Sequence, residues 1–118
     1  MSDDRAIAVE RMQHMVEAAD AIAAYVARGR AAYDADAAVR DAILFQIVVI
    51  GEAAKAVVQR DPSLAADLSA VEWSAFARMR DRITHQYWAV DAQIAWDTAV
   101  EDIPAVRALL AEALRRLA

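Results

Sequence analysis

Residues that interrupt regular structure are scarce in this chain, which has only two glycines and two prolines among 118 residues. A sheet needs frequent turns, and glycine and proline are the residues that turns use most. Hydrophobic residues make up 59% of the sequence, and alanine, a strong helix former, supplies many of them. The sequence therefore predicts an all-α fold: an up-and-down four-helix bundle with short extra helices, formed by a single domain over residues 1–118.

Apolar residues that recur every three or four positions, together with capping residues, predict where the helices lie. The first predicted helix spans residues 2–28, capped by Ser2 or Asp3, and the second spans residues 36–59, capped by Asp34 or Asp36. The third should run from about residue 70, after a Ser69–Glu72 capping box, to residues 85–88. The fourth should begin after Asp91, and Pro104 should kink or restart it. A short helix should follow the Asp61-Pro62 pair, and residues 29–35 should form a polar link ending the first helix at Gly29. The inner face of the last helix should hold Val106, Leu109, Leu110, Ala113, Leu114 and Leu117.

The centre of the second helix, from Ile43 to Gly51, is apolar on every side. Such a helix is covered on more than one side, and in a chain this small a second subunit could supply part of the cover. Gly51 inside a helix costs about 1 kcal/mol relative to alanine, so we expect another backbone to pass close to it. Glu52 follows at the edge of the apolar zone. It either forms a salt bridge at the rim or orients an arginine of the third helix.

Composition excludes several classes of protein. No window of 18 residues is apolar and free of charge, so no membrane span is expected. The first residues include Asp3 and Asp4 and do not resemble a secretory signal, so a cytoplasmic location is the default expectation. Without cysteine there is no disulfide, thiolate metal site or cysteine nucleophile. The net charge of −5 argues against a broad nucleic-acid-binding surface.

Reactive side chains concentrate between Arg78 and Trp88, where three arginines lie close to Asp81, His85 and Tyr87. Residues 73–88 hold three arginines and one aspartate, which makes a small basic region on an acidic chain. On a helix, the Asp81 carboxylate could reach His85 four residues later. Arg80 and His85 would point about 140° apart, so one regular helix cannot bring them to the same small group. Either the chain bends back near His85, or the second group comes from another copy of the chain.

Arginine and histidine together suit phosphoryl chemistry on RNA. Histidine, with an unperturbed pKa of about 6.5, can donate or accept a proton near neutral pH, and arginine binds phosphate oxygens through paired donors. RNA carries its own nucleophile, the 2′-hydroxyl, so the enzyme needs a base, an acid and positive charge at the phosphate. A two-fold dimer would supply two histidines. The alternative is structural: charged residues on a solvated helix face, a histidine at the helix end and a tyrosine at the core edge.

The spacing of Arg80, His85 and Tyr87 resembles the Arg–His motif of HEPN domains, and the tyrosine two residues after the histidine resembles the HepT-like branch. The run Ile50–Ala53 is similar to that branch's second-helix signature. Trp73 and the segment from Val90 to Pro104 are similar to its residues before and after the motif. The resemblance covers roughly residues 4–116. The sequence departs from the pattern at Asp81, where asparagine is commoner.

The resemblance implies a metal-independent RNA endonuclease without a cofactor, which acts as a homodimeric toxin with the paired motifs in a shared cleft. It also implies a partner, a minimal nucleotidyltransferase antitoxin that transfers AMP from ATP to the motif tyrosine. By that resemblance Arg80 would bind the scissile phosphate and His85 would act as acid and base. Asp81 would orient the histidine or the arginine, and Tyr87 would accept AMP. Arg78 and Arg82 could add to RNA binding, such as that of tRNA or mRNA.

Two other functions fit the same residues. In a non-catalytic HEPN-type module, the Arg–His cleft would bind a nucleotide or the partner enzyme without cutting RNA. In a third, structural class, the chain would be a helical bundle that only dimerises. Loss of toxicity in Arg80→Ala and His85→Ala variants that still fold would separate the ribonuclease from both alternatives.

Overall fold

A computed structural model of the chain describes residues 2–118, and every regular element in that range is helical. In chain order the helices are α1 (Asp3–Val26), α2 (Arg30–Ala35), α3 (Ala37–Arg60), α4 (Pro62–Asp67), α5 (Trp73–His85), α6 (Ala92–Asp97) and α7 (Ile103–Leu117). A short 3₁₀ turn, Tyr87–Ala89, follows α5, and a π-helical turn, Thr98–Asp102, joins α6 to α7. The predicted all-α class is confirmed.

The core lies between the four longest helices: α1 packs on α3 and α7, and α3 packs on α5. Helices α1 and α3 contribute large side chains that are fully buried, namely Met12, Met15, Ile22, Ile43, Ile47 and Ile50. Burial of each such side chain is worth about 1.5–3 kcal/mol. Because α5 is joined to the rest of the fold chiefly through α3, the contact between these two helices positions the Arg–His motif.

Side-chain caps fix the starts of several helices. The side-chain oxygens of four residues accept N–H bonds from the first turn that follows them: Ser2, Asp36, Asp61 and Asp91. Each satisfies a backbone donor that has no partner within its helix. These predicted boundaries are confirmed. Pro104 lies in the first turn of α7, directly after the π-helical turn, and the helix runs from α6 into α7 without a break.

The start of α5 differs from the prediction. The helix begins at Trp73 rather than near residue 70, and Glu72 makes no side-chain capping bond, so the predicted capping box is wrong. The Val71 side chain is buried, and the Trp73 indole N–H donates to the Ala65 carbonyl oxygen at 3.1 Å. These tertiary contacts hold the segment against α4 in a turn that local capping signals do not describe.

The predicted polar link over residues 29–35 is wrong, because residues 30–35 form helix α2. The Tyr33 side chain is buried, and its hydroxyl donates to the Ala92 carbonyl oxygen at 2.7 Å. The ring of Tyr33 also packs against Trp96, with 5.0 Å between ring centroids. Contacts with α6, distant in sequence, therefore stabilise α2. Gly29, with φ of 93°, makes the turn between α1 and α2, a conformation that glycine adopts without strain.

Two apolar side chains point outward. Leu109 was predicted to face the core, but 40% of its surface is exposed, while Val106, Leu110 and Ala113 of the same helix are buried. Phe45, in the apolar centre of α3, is 64% exposed. Within a single chain, then, the all-round apolar stretch of α3 is covered on its inner side and open at Phe45.

A bilayer-crossing helix needs a long uninterrupted apolar stretch, and none of the helices within residues 2–118 has one.

Candidate functional site

The site forms where α5 crosses α3 at Gly51. A Cβ atom at residue 51 would lie 2.3 Å from the Cβ of Arg80 and 2.5 Å from the carbonyl oxygen of Phe76. No side chain fits in that space, so the expectation of a close backbone approach at Gly51 is confirmed. The crossing places Glu52, the next residue of α3, against Arg80 of α5.

Arg80 is held by three side chains. Its Nε lies 2.7 Å from Oε2 of Glu52, and its Nη1 donates to Oδ1 of Asp81 at 3.0 Å and to Oγ1 of Thr84 at 3.3 Å. The contact with Glu52 is an ion pair without a hydrogen bond, since the buried Nε–H finds no acceptor in line with it. Of the two interpretations of Glu52, pairing with an arginine of α5 is the one observed.

The guanidinium of Arg80 is oriented and still accessible. Its side chain is 24% exposed. Among the hydrogen bonds of residues 2–118, those of Arg80 are made by Nη1, and Nη2 donates to no protein group. One nitrogen of a fixed guanidinium is thus open to an anion such as a phosphate oxygen.

Asp81 binds cations of two helices. Its Oδ1 accepts from Arg80 Nη1 and from Nζ of Lys55 at 3.3 Å. The hydrogen bond from Arg80, followed by the one from Lys55, holds the pKa of the Asp81 carboxyl below its ordinary value. The expected contact between Asp81 and His85 is not among the interactions of the described residues. The carboxylate lies on the α3 side of α5, so it orients Arg80 and not the imidazole.

His85 is the last residue of α5, and its side chain is exposed. The helix stays regular from Trp73 to His85 and turns only afterwards, where the Gln86 N–H donates to the Arg82 carbonyl at 2.9 Å. The chain therefore does not bend back before His85. Arg80 faces α3 while His85 faces outward, about 140° further around the helix, so one chain does not bring the two groups together.

Arg78 and Arg82 share the outer face of α5 with His85, as the spacing predicts, and both are exposed. Among the ion pairs formed by residues 2–118, none involves either arginine. They line a groove whose other side is formed by Val90, Asp91 and Ile94. The groove therefore holds two cations and one carboxylate, and neither cation forms an ion pair within residues 2–118.

Two aromatic side chains follow the helix in the 3₁₀ turn. Tyr87 is 71% exposed and Trp88 is 73% exposed. The rings meet edge to face, with 5.4 Å between centroids and 82° between planes. The Tyr87 hydroxyl makes no hydrogen bond among those of the described residues, and the side chain faces solvent.

Sequence reasoning gave no role to three residues near the site. Lys55 pairs with Asp81, Thr84 accepts from Arg80, and Trp88 exposes a large apolar surface beside His85. Lys55 and Thr84 had detectable signals, since Lys55 lies one turn after Glu52 and Thr84 lies four residues after Arg80. The exposure of Trp88 had no detectable signal in the sequence, because it depends on the conformation of the turn after α5.

The other histidine, His14, lies on α1. Its Nδ1 is 3.1 Å from Arg11 and its Nε2 is 3.8 Å from Glu10, and its half-buried side chain lines a cavity with Val48 and Glu52 of α3. Within residues 2–118 no three histidine, aspartate or glutamate side chains gather as a ligand set for a metal ion.

An all-helical fold with an arginine and a histidine five residues apart at the end of one helix defines a HEPN-type domain. The family model described as "Ribonuclease HepT-like" matches residues 15–113. The chain therefore belongs to the HepT-like family of HEPN domains.

Curated relatives agree with this assignment. The chain is 35% identical over 66 residues to "Probable ribonuclease HepT" of Thermococcus cleftensis, an alignment that covers 56% of this chain and 57% of the relative. It is 35% identical over 48 residues, 41% of this chain and 43% of the relative, to a protein of Caldanaerobacter subterraneus whose name assigns RNase activity provisionally. The chain thus spans about half the length of the curated relatives it matches. No solved structure matches it significantly.

Proposed function

We propose that this chain is the toxin of a toxin–antitoxin system, a metal-independent RNA endonuclease that works as a homodimer of one HepT-like four-helix domain per chain. The observation that carries the proposal is the orientation of Arg80 by Glu52 and Asp81, with Nη2 left open, on the same helix as an exposed His85. Membership in a family described as ribonucleases supports the same reaction class.

In the proposed reaction, Arg80 binds the scissile phosphate and offsets the charge that builds up on it. One His85 removes the proton of the 2′-hydroxyl, which attacks the phosphorus, and a second His85 gives a proton to the leaving 5′-oxygen. Arg78 and Arg82 bind neighbouring phosphates. A dimer is needed because one chain offers one such histidine and directs it away from its own Arg80.

The surface of α3 supports a dimer beside the site. Phe45, Val48 and Glu52 follow one another at helical spacing on the outer side of α3, and Phe45 is largely exposed. If two copies pair through this apolar stripe, which ends at Glu52, the Arg80 side chains of both copies lie near one cleft. Light scattering at micromolar concentration is expected to give the mass of two chains, and a monomer would contradict the proposal.

The exposed Tyr87 hydroxyl is the proposed acceptor of AMP from a nucleotidyltransferase antitoxin. AMP adds bulk and negative charge near Arg82 and His85, where it would compete with RNA phosphates. The intact mass of the chain co-expressed with that partner is expected to rise by the mass of at least one AMP group. A Tyr87→Phe variant should not gain this mass.

The decisive experiment is cleavage of tRNA and total RNA in EDTA by the purified, unmodified dimer. Wild-type protein is expected to cut, and His85→Ala and Arg80→Ala are expected to lose about a hundredfold or more of the rate, in the range of a lost acid–base group. The control is Arg116→Ala, which removes an exposed cation of α7 outside the site and should cut like the wild type. Equal loss in Arg116→Ala would mean that the effect is not specific to the site.

One observation favours the non-catalytic binding module. Two carboxylates already contact Arg80, which reduces the positive charge that it offers to a phosphate. If the folded, unmodified dimer binds RNA or the nucleotidyltransferase but cuts no RNA, the binding module replaces the ribonuclease.

A further inference from the structure

The 3₁₀ turn after α5 holds Trp88 at the surface in a fixed place. The Ala89 N–H donates to the Gln86 carbonyl at 2.8 Å, which closes the turn, and Val90, just after it, packs against the core. The turn is thus closed by a backbone hydrogen bond and leads into the core, and Trp88 lies on its outer side.

Trp88 differs from the other tryptophans of the chain. The Trp73 ring is 8% exposed and its indole N–H donates to Ala65, and Trp96 packs on the buried Tyr33. Tyr87 meets Trp88 edge to face, so it can cover at most one face of the indole. A large aromatic face consequently stays in contact with water, an unfavourable state for an apolar ring of this size.

The surroundings of this ring are those of a site for unpaired nucleic acid. Trp88 follows His85 by three residues, so their Cα atoms are at most about 11 Å apart, which is within the reach of one or two nucleotides. Arg82 is exposed, forms no ion pair within residues 2–118 and lies one turn before His85, although Asp91 lines the same groove. An aromatic face next to cations is the combination that proteins use to hold single strands, because every base has a face that can stack.

From this arrangement we infer that Trp88 stacks on an unpaired base adjacent to the phosphate at His85, and so restricts the substrate to single-stranded RNA. The inference rests on the proposed ribonuclease function for the position of that phosphate. In a paired A-form helix the base faces are covered by their neighbours, so a duplex offers Trp88 nothing to stack on. Trp88 is thereby a specificity-determining residue that takes no part in proton transfer.

The test uses RNA with 2′-O-methyl groups, which has no free 2′-hydroxyl and cannot be cut, so that binding is measured apart from cleavage. Acrylamide quenching of tryptophan fluorescence reports mainly on Trp88, because the other two tryptophans are buried or packed, and Trp88→Phe gives their background. Quenching is expected to fall when a single-stranded oligonucleotide is added and to stay unchanged with a duplex of the same composition. Shielding of Trp88 in the RNA-free dimer would mean that a second copy covers it, and would overturn the inference.

Two substitutions at residue 88 separate stacking from mere apolar contact. Trp88→Leu, which keeps an apolar side chain, is expected to weaken single-strand binding about 5- to 150-fold, the effect of losing one stacked base, while Trp88→Phe stays close to wild type. Leu109→Ala, at an exposed apolar residue of α7 outside both the site and the apolar stripe of α3, is the control, and light scattering checks that each variant keeps its assembly. Single-strand binding by Trp88→Leu at wild-type strength would overturn the inference.

Cleavage of ordinary RNA then distinguishes this inference from the proposed function. If wild type and Trp88→Leu cut single strands equally well, the stacking role is wrong and the ribonuclease stands. If no variant cuts RNA but Trp88→Leu loses single-strand binding, the stacking role holds and the ribonuclease is wrong.

Discussion

Arg80 combines two demands that conflict. A guanidinium that is to bind a phosphate in the transition state must be held in place. The groups that hold it here are the carboxylates of Glu52 and Asp81, whose negative charge opposes the binding of an anion. Lys55 moderates this conflict, because it shares the charge of Asp81. The balance at Arg80 can therefore be shifted by removing one negative charge without removing the acceptor oxygen.

Asp81→Asn makes that change. The asparagine oxygen can still accept from Arg80 Nη1, but the charge beside the phosphate is gone, so cleavage at subsaturating RNA is expected to rise about two- to fivefold. Because the pKa of Asp81 is lowered, its carboxylate takes up a proton only at a pH below the one at which an ordinary aspartate does. The ratio of variant to wild-type rate should thus be constant from pH 5 to pH 8. A ratio that falls steeply within this window would show that Asp81 titrates there and would contradict the assignment.

At the scale of helices, the crossing of α3 and α5 is what turns a charged helix face into a site. Gly51 allows the two backbones to approach, and the approach puts Glu52 and Lys55 of α3 against Arg80 and Asp81 of α5. The stability of this crossing and the geometry of the site should therefore respond together to a side chain at residue 51.

Gly51→Ala tests this link. The added methyl group has better helix propensity by about 1 kcal/mol, but it would overlap Arg80 and Phe76, and such overpacking costs about 1–3 kcal/mol. Urea unfolding should show no gain in stability or a net loss, and RNA cleavage should fall. Gly29→Ala is the matched control, because a φ of 93° strains alanine although nothing lies within 4 Å of the new Cβ. Its stability should fall, while RNA cleavage by the folded protein should stay unchanged. A stabilised, fully active Gly51→Ala variant would contradict this account of the crossing.

The sequence predicts those parts of the fold that depend on neighbouring residues. Asp36, Asp61 and Asp91 cap helices where expected, and the glycine inside α3 correctly indicates a close backbone. The predictions for α2 and for the start of α5 were wrong, because contacts between residues far apart or outside the local capping pattern determine both. These are the hydrogen bonds of Tyr33 with Ala92 and of Trp73 with Ala65. The site follows the same division. Arg78, Arg82 and His85 lie on the predicted face of α5, whereas the pairing of Asp81 with Lys55 depends on how α5 lies across α3.

For the whole molecule, the decisive property is that acid and base would come from different chains. His85 is at the exposed end of α5, directed away from its own Arg80, and α3 presents Phe45 beside Glu52 on an open surface. A symmetric dimer through this surface would join two copies of one patch, which is the usual form of a two-fold interface. In that arrangement each cleft needs the His85 of both chains. A dimer with one His85→Ala chain should therefore cut RNA no faster than a dimer in which both chains carry the substitution.

Subunit mixing measures this dependence. Wild-type and His85→Ala chains, combined in equal amounts under conditions in which subunits exchange, form wild-type dimers as about one quarter of the total if pairing is random. If each cut needs two histidines, the mixture has about one quarter of the activity of the same total amount of wild type; if each chain acts alone, it has about one half. Arg116→Ala serves as the control partner, since its mixed dimers keep both His85 side chains and should retain full activity. An activity near one half with His85→Ala would remove the shared cleft from the mechanism while leaving His85 as the group that moves the proton.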